Sequence, residues 1–581
     1  MKITFAVIFI LLSALYGCGK DQEKKVEIIF GTVERNPSSN VPLSAQIEIK
    51  TSVPVSVEVT VLDIDREREG FVKEYKNLGA GTLKIPVLGL FPDHENEVAV
   101  KINGNAENTR VFKIKTDPLP DDLPLITIEG KIESGWTIAN WIRYPGGNRN
   151  SIALAFDELG RTRWYTTLPD GECTPVIVKN GLFYCSNLNE YFKAYDFMGF
   201  EAGSWDMDKK GFFGVHHDIF IKDNGNILVL PNMKEQNMIE DFVMEIEPLQ
   251  NKIVKLWDLK KFFPDVQDLY GDLRLTDSAN PENTSDPIHV NGVWYDSSDN
   301  TIIVSSQTAG VMKISYDDRI VWYIAPQITA KIDDADGDGV SDSKVDGYDA
   351  ADDSTYMGDI RSDAYVQVRR SISEHEYDYG FDFNYMEFIL RPVDNEGQFI
   401  SDKAVLNGFE NGDTFAWSFR SHSPVILKNG NLMVFDNGLA RNFRYPVIER
   451  NSYSRAVEYE IIEDADGCGG TIRQAWEYKL DDTDPSVNYF SPYVSNVSEL
   501  ENGNRLIVSG SIGISFVNYI LEGDYEGFAG ALLVEVDPSD NSVKNSVFMK
   551  RAGSDLSKKA VFSVYRAYRF ELEALLPENR N

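Results

Sequence analysis

His217-Asp-Ile-Phe-Ile-Lys-Asp-Asn-Gly225, followed at once by Asn226-Ile-Leu-Val-Leu230, decides the fold. An Asn-Gly pair between two short apolar runs is the strongest local signal for a β-hairpin, because a two-residue turn needs positive φ at both central positions. The frame recurs as His422 to Gly430 before Asn431 to Phe435, as Ser495 to Gly503 before Asn504 to Val508, and as Cys173 to Gly181 before Leu182 to Cys185. A fifth copy, His289 to Tyr295 and Thr301 to Val304, has a longer turn at Asp296 to Asn300. A second pattern follows: an apolar strand, a polar turn, and a strand that often contains Trp. It occurs six times, at Ile152–Tyr165, Phe192–Trp205, Val243–Trp257, Val311–Trp322, Ala456–Trp476 and Leu532–Phe548. Two hairpins per unit make a four-stranded blade, so the array predicts an all-β chain with a six-bladed β-propeller over residues 125–581. The β-rich Ala560–Phe570 segment is expected to close the ring on the first blade. One long insertion, 327–419, interrupts the array.

Residues 19–124 differ in pattern. Val26–Phe30, Ala45–Lys50, Val55–Leu62, Gly81–Val87 and Glu97–Ile102 are short β-rich runs, several alternating apolar and polar residues. They predict a small N-terminal β-sandwich of the immunoglobulin or fibronectin kind, ending in a linker stiffened by Pro118, Pro120 and Pro124. Residues 1–18 read as a lipoprotein signal peptide: Lys2, an apolar run from Phe5 to Leu15 too short to span as a mature helix, then Leu15-Tyr-Gly-Cys18, which resembles a lipobox. Lipidation of Cys18 implies export to the bacterial cell envelope and a lipid-anchored protein at a periplasmic or outer-membrane surface. Disulfides are allowed there, and Cys173 and Cys185, at the two ends of one hairpin unit, are placed to bridge it.

The formal net charge of -34 argues against nucleic acid as a partner. Asp334, Asp336, Asp338 and Asp342 stand at positions 1, 3, 5 and 9 of an acidic loop with glycine at position 6, the spacing that converges oxygens on calcium. Position 12 is Val345 rather than Glu. The expected metal is a structural calcium within the insertion, with no organic cofactor.

Only six histidines occur, and His217, His289 and His422 head the first hairpin of three units. If those strands are innermost, the imidazoles converge on the axial channel, the default site of a propeller. His216 is expected to point the other way along its strand.

These residues carry a resemblance. His217-Asp218 with its hairpin, Asp286-Pro-Ile-His-Val-Asn291 before Ile303-Val-Ser-Ser306, His422 with Phe435-Asp-Asn-Gly438, and Ser454-Arg-Ala-Val-Glu-Tyr-Glu460 look like the bacterial arylsulfate sulfotransferase family, which uses no nucleotide sulfate donor. The resemblance covers nearly the whole chain after the signal. It implies sulfuryl transfer from a phenolic sulfate ester to a phenol acceptor, with His422 as the transiently sulfated nucleophile. His217 and His289 would hold sulfuryl oxygens and exchange protons with the phenols, and Asn291 would contact substrate. The family usually has Arg after the Ser-Ser pair, where this chain has Gln307. Gln donates hydrogen bonds but no charge, and Arg420 or Arg566 could compensate.

Two other readings are open at this level. A non-catalytic propeller lipoprotein could bind sulfated or phenolic ligands or surface glycans through the same histidines. A hydrolase could hold zinc on three histidines.

Overall fold

The computed structural model describes residues 27–570 except 144–149, 169–176, 187–190, 235–241, 263–287, 327–386, 444–452, 484–488, 513–529 and 552–561, and single positions 67, 69, 134, 308, 409, 440 and 466. Described secondary structure is almost entirely β. Six antiparallel sheets follow one another along the chain after residue 124.

The second sheet is Ile177–Lys179, Leu182–Ser186, Tyr191–Asp196 and Glu201–Asp206, paired in chain order. The third is Phe212–Ile221, Ile227–Met233, Phe242–Glu247 and Lys252–Asp258, and the fourth is Val290–Asp296, Thr301–Ser306, Gly310–Ser315 and Ile320–Ile324. The fifth runs His422–Ile426, Leu432–Asp436, Arg455–Glu463 and Gly470–Lys479, with Arg391–Pro392 added parallel to its last strand. The sixth is Asn496–Glu499, Arg505–Ile512, Gly530–Asp537 and Ser542–Arg551, with Pro124–Gly130 added at its edge. The first sheet takes Trp136–Arg143, Asn150–Phe156 and Thr162–Tyr165 from one end of the chain and Phe562–Phe570 from the other. This explains why six copies of the second hairpin pattern accompany only five of the first: the sixth first hairpin is split between the termini.

Consecutive sheets cover each other. One apolar cluster joins Leu230 and Trp257 of the third sheet to Val293 and Tyr323 of the fourth. Others join the fourth to the fifth, the fifth to the sixth and the second to the third. Central strands are therefore buried on both faces, which is why Ile227–Leu230 and Ile302–Val304 read as unbroken apolar runs instead of alternating. The leading strands also touch in series: Phe212–Ile221 meets Val290–Asp296, which meets His422–Ile426, then Asn496–Glu499, then Phe562–Phe570.

The turns correct one expectation. Asn180 and Gly181 both have positive φ, as a two-residue hairpin turn requires, but at the other three Asn-Gly pairs of the repeated frame only the glycines, Gly225, Gly430 and Gly503, do. Those three close type I turns with glycine at the bulge position. The asparagine instead caps the turn, Asn224, Asn429 and Asn502 each accepting the backbone N–H two residues on at 3.0 Å. A buried glutamate on the third strand then holds the turn. Glu245 accepts from Asn226, Glu458 from Asn429 and Asn431, and Glu535 from Asn502 and Asn504. Each glutamate also pairs with a cation, Lys222, Arg505 or Arg569.

Ahead of the array lie two further sheets. Ile28–Arg35, Ala45–Thr51 and Gly81–Val87 form one, and Phe71–Leu78, Val55–Val61, Glu95–Ile102 and Asn105–Lys115 form the other. Val55, Val57, Val59 and Val61 are buried while the residues between them are partly exposed, so one face packs inward. This unit is pinned to the first two sheets. Arg161 grips Asp63 with two bonds of 2.9 and 2.7 Å, Arg163 donates to the Gly89 carbonyl and lies 3.7 Å over the Phe91 ring, and Asn40 Nδ2 donates to the Gly199 carbonyl.

Of the 327–419 insertion, residues 387–408 and 410–419 are described. Its stretch from Phe388 to Val393 lies along the outer strands of the fourth and fifth sheets: the Tyr323 and Val393 amides donate to the Phe388 and Ile472 carbonyls. The signal segment with Cys18, the acidic loop Asp334, Asp336, Asp338 and Asp342, and Cys173 lie outside the described residues. Cys185, on Leu182–Ser186, is disulfide-bonded.

Candidate active site

The leading strands do not run straight. Phe212–Ile221, Val290–Asp296, His422–Ile426 and Phe562–Phe570 each bulge against their neighbour, with register shifts at Val215/Ile219, Val290/Gly292, His422/Val425 and Val564/Ala567. At or beside these bulges, non-glycine residues have positive φ: His217 (53°), His289 (50°), Arg420 (56°) and Ser423 (57°). Such conformations are strained and collect at functional sites, where a bulge re-aims a side chain.

The bulges gather the predicted histidines. The His217 and His289 ring centroids are 4.8 Å apart. Tyr565 stands between His217 and His422, at 5.6 and 6.2 Å. His289 lies close enough to His422 to influence its charge. Two expectations need correction. His217 sits inside Phe212–Ile221 rather than at its head. His216 does not point away: positive φ at His217 breaks strand alternation and sets the two Nδ1 atoms 2.8 Å apart.

His422 is oriented by Asn437. The Asn437 amide nitrogen donates to the Ser491 carbonyl at 2.8 Å and the Val494 carbonyl at 3.2 Å, which fixes the amide and leaves Oδ1 facing His422 Nδ1 at 2.7 Å. An acceptor oxygen there requires the ring hydrogen on Nδ1, so Nε2 keeps its lone pair. Burial pushes the His422 pKa down to about 3, with His289 and Arg566 acting the same way and the Asn437 bond and the Arg420 backbone opposing. The ring is therefore neutral at physiological pH.

Arg566 and Asp218 form a buried charged pair. Asp218 accepts the Ile219 amide at 2.8 Å and the Val293 amide at 2.9 Å, which ties the third sheet to the fourth. Its Oδ2 lies 2.8 Å from Arg566 Nη2. Burial pushes the Asp218 carboxyl up, while Arg566 and the two amides pull it down. Burial opposes the Arg566 charge, but Asp218 and Tyr568 keep the guanidinium protonated. Arg566 Nη1 donates to Tyr568 Oη at 3.1 Å. Nη2 meets Asp218 off the line of its N–H bonds, and Nε has no hydrogen-bond partner among the described residues. Asn291 Nδ2 and Ser421 Oγ are buried in the same condition. Buried donors without acceptors are rare and call for explanation.

The remaining predicted residues take smaller parts. Asn291 is fully buried and its Oδ1 accepts from Ser305 Oγ at 2.7 Å. Gln307 is buried, and its backbone N–H donates to the His289 carbonyl at 3.0 Å, so its main chain steadies that histidine. Arg420 enters through its backbone beside His422. Sequence reasoning missed Tyr565 and the orienting role of Asn437, although Phe435-Asp-Asn-Gly438 was visible as a motif. Among the described residues no group of three or more His, Cys, Asp or Glu side chains is arranged to hold a metal.

The neutral histidines have a measurable consequence. His216 and His422 are held below the usual imidazole value by burial, with His289 nearby, whereas the unfolded chain binds protons on both near pH 6.5. Below pH 6.5 the unfolded state thus takes up more protons, so stability present above that value is lost as pH falls toward about 3 for His422. Thermal melts are expected to be level above pH 7 and to decline from pH 6.5 to 5, with a shallower decline in His422→Gln. An equal slope in that variant would mean that His422 titrates normally.

With this geometry in hand, comparison places the chain among known proteins. Residues 128–333 and 363–557 match the arylsulfotransferase family, and residues 32–117 match the arylsulfotransferase Ig-like domain. The chain belongs to the arylsulfotransferase family. It is 22% identical to the arylsulfate sulfotransferase AssT of Escherichia coli O6:H1 (strain CFT073), over 87% of this chain and 90% of that protein. It is also 22% identical to the arylsulfate sulfotransferase AssT of Lelliottia amnigena, over 83% of this chain and 85% of that one.

Proposed function

We propose that this protein transfers a sulfuryl group from a phenolic sulfate ester to a phenolic acceptor, through a transient sulfohistidine on His422 and without a nucleotide sulfate. The observation that carries the reading is the Asn437 clamp, which leaves a neutral His422 with its Nε2 lone pair available. Nε2 attacks sulfur, the N–S bond forms, and the bond from sulfur to the aryl oxygen breaks. The electron pair leaves on that oxygen, which receives a proton from a protonated neighbouring imidazole, His217 or His289. An acceptor phenol reverses the steps and returns its proton to that ring. In this reading Arg566, Asn291 and Gln307 would supply donors to the sulfuryl oxygens, and their burial supports it because such bonds are strongest away from water.

In the architecture that suits this reading, the six sheets are blades of a six-bladed β-propeller spanning residues 125–581, and residues 19–124 form a β-sandwich with its linker. The leading strands then line the axis and present the histidines there. Removal of residues 1–18 with lipidation at Cys18 would hold the enzyme on the envelope membrane, and the acidic loop would take a structural calcium.

The test is single-turnover chemistry. Mixing the enzyme with 4-nitrophenyl sulfate and no acceptor is expected to release about one equivalent of nitrophenolate, in keeping with a covalent intermediate. The His422 peptide should carry the sulfuryl group and lose it on addition of phenol. Release without any adduct would point to direct transfer or hydrolysis.

A further inference from the structure

None of the steps above uses His216. Its ring stands against that of His217 at 4.9 Å between centroids and 84° between planes, Nδ1 to Nδ1 at 2.8 Å. Two ring nitrogens at that distance share one hydrogen, so one ring donates and the other accepts. If His217 donated, a neutral His216 would carry its own hydrogen on Nε2. That atom is buried and has no partner among the described residues. A buried N–H without an acceptor is the costlier orphan; a bare ring nitrogen is tolerated better. The economical arrangement has His216 Nδ1–H donating to His217 Nδ1, which puts the His217 hydrogen on Nε2.

We infer that His216 is a positioning residue that fixes His217 as an Nε2–H donor to the sulfuryl oxygens of the aryl sulfate, leaving His289 as the ring that exchanges protons with the phenols. This rests on the sulfuryl-transfer reading and divides roles within it. Burial holds His216 neutral, which keeps its Nδ1–H in place and Nε2 bare. The strained backbone of His217 gains a purpose: in a regular strand the two rings would face opposite ways and could not share a hydrogen.

The experiment uses enzyme labelled with 15N only in histidine, whose bare and protonated ring nitrogens resonate far apart. The His217 signals are assigned by their loss in His217→Gln. In the wild type, His217 is expected to be bare at Nδ1 and protonated at Nε2. His216→Phe removes the donor, and His217 should become a mixture of tautomers. With 4-nitrophenyl sulfate the kcat of this variant should fall roughly tenfold to a hundredfold while the KM for the acceptor phenol stays within about twofold. His216→Asn can place an amide N–H at the same point and should recover most of the loss. Hydrogen on His217 Nδ1 in the wild type would overturn the inference. So would a folded His216→Phe enzyme with unchanged kcat, or an Asn variant no better than the Phe one. Failure of the wild type to turn over any phenolic sulfate would count against sulfuryl transfer instead, and the nitrogen spectrum would still decide the tautomer.

Discussion

With His422 replaced by alanine, acceptor-dependent release of nitrophenolate from 4-nitrophenyl sulfate is expected to fall by at least ~10⁴-fold, because the covalent route is then closed. The loss should lie in kcat, while donor binding through Arg566 and Asn291 persists. Stability should change far less than activity. The His422 ring is buried, so a cavity is left, but the Asn437 amide that faces it stays anchored to two carbonyls. Activity in His422→Ala within tenfold of wild type would remove His422 as the nucleophile and point to direct transfer from donor to acceptor.

The second large effect is expected at Arg566. In Arg566→Leu the Asp218 carboxylate is left buried without its cation, at a cost of roughly 3–5 kcal/mol. In the proposed reading the same change also removes a charged donor to the sulfuryl oxygens, and kcat/KM for the aryl sulfate should fall by ~10²–10³-fold. Stability and chemistry are separated by the pair Arg566→Leu with Asp218→Asn, which removes both charges. It should regain much of the melting temperature and none of the activity. Recovery of both would show that Arg566 serves the fold alone.

Much of the architecture was legible because it is periodic. Asn-Gly turns and Trp-bearing second hairpins recur in frame, and the six copies at Ile152–Tyr165 through Leu532–Phe548 coincide with strand pairs in all six sheets. The site was legible in its parts, since His217, His289 and His422 occupy related places in that frame. What was hidden depends on backbone geometry. A positive φ at His217 has no sequence signature in a non-glycine residue, so His216 was assigned to the wrong side. The turns likewise follow one rule at Asn180-Gly181 and another at Asn224-Gly225 although the dipeptide is the same. The buried Glu245, Glu458 and Glu535 look like ordinary strand residues until their turn partners arrive from the neighbouring hairpin. The closing segment and its Arg566 were foreseen, but not Tyr565 beside it, whose approach to His217 and His422 follows from the pairing of Phe562–Phe570 with Trp136–Arg143.

That pairing also bears on biosynthesis. Arg566 and Tyr565 are among the last described residues to be translated, on the strand that completes the first sheet. A chain cut short before residue 562 could still build five sheets and keep all four clustered histidines. It would nevertheless lack the guanidinium that holds Asp218 and an aromatic wall of the cluster. Chains cut short before residue 562 are therefore expected to keep the histidines yet lose at least the ~10²–10³-fold in kcat/KM expected from removing Arg566.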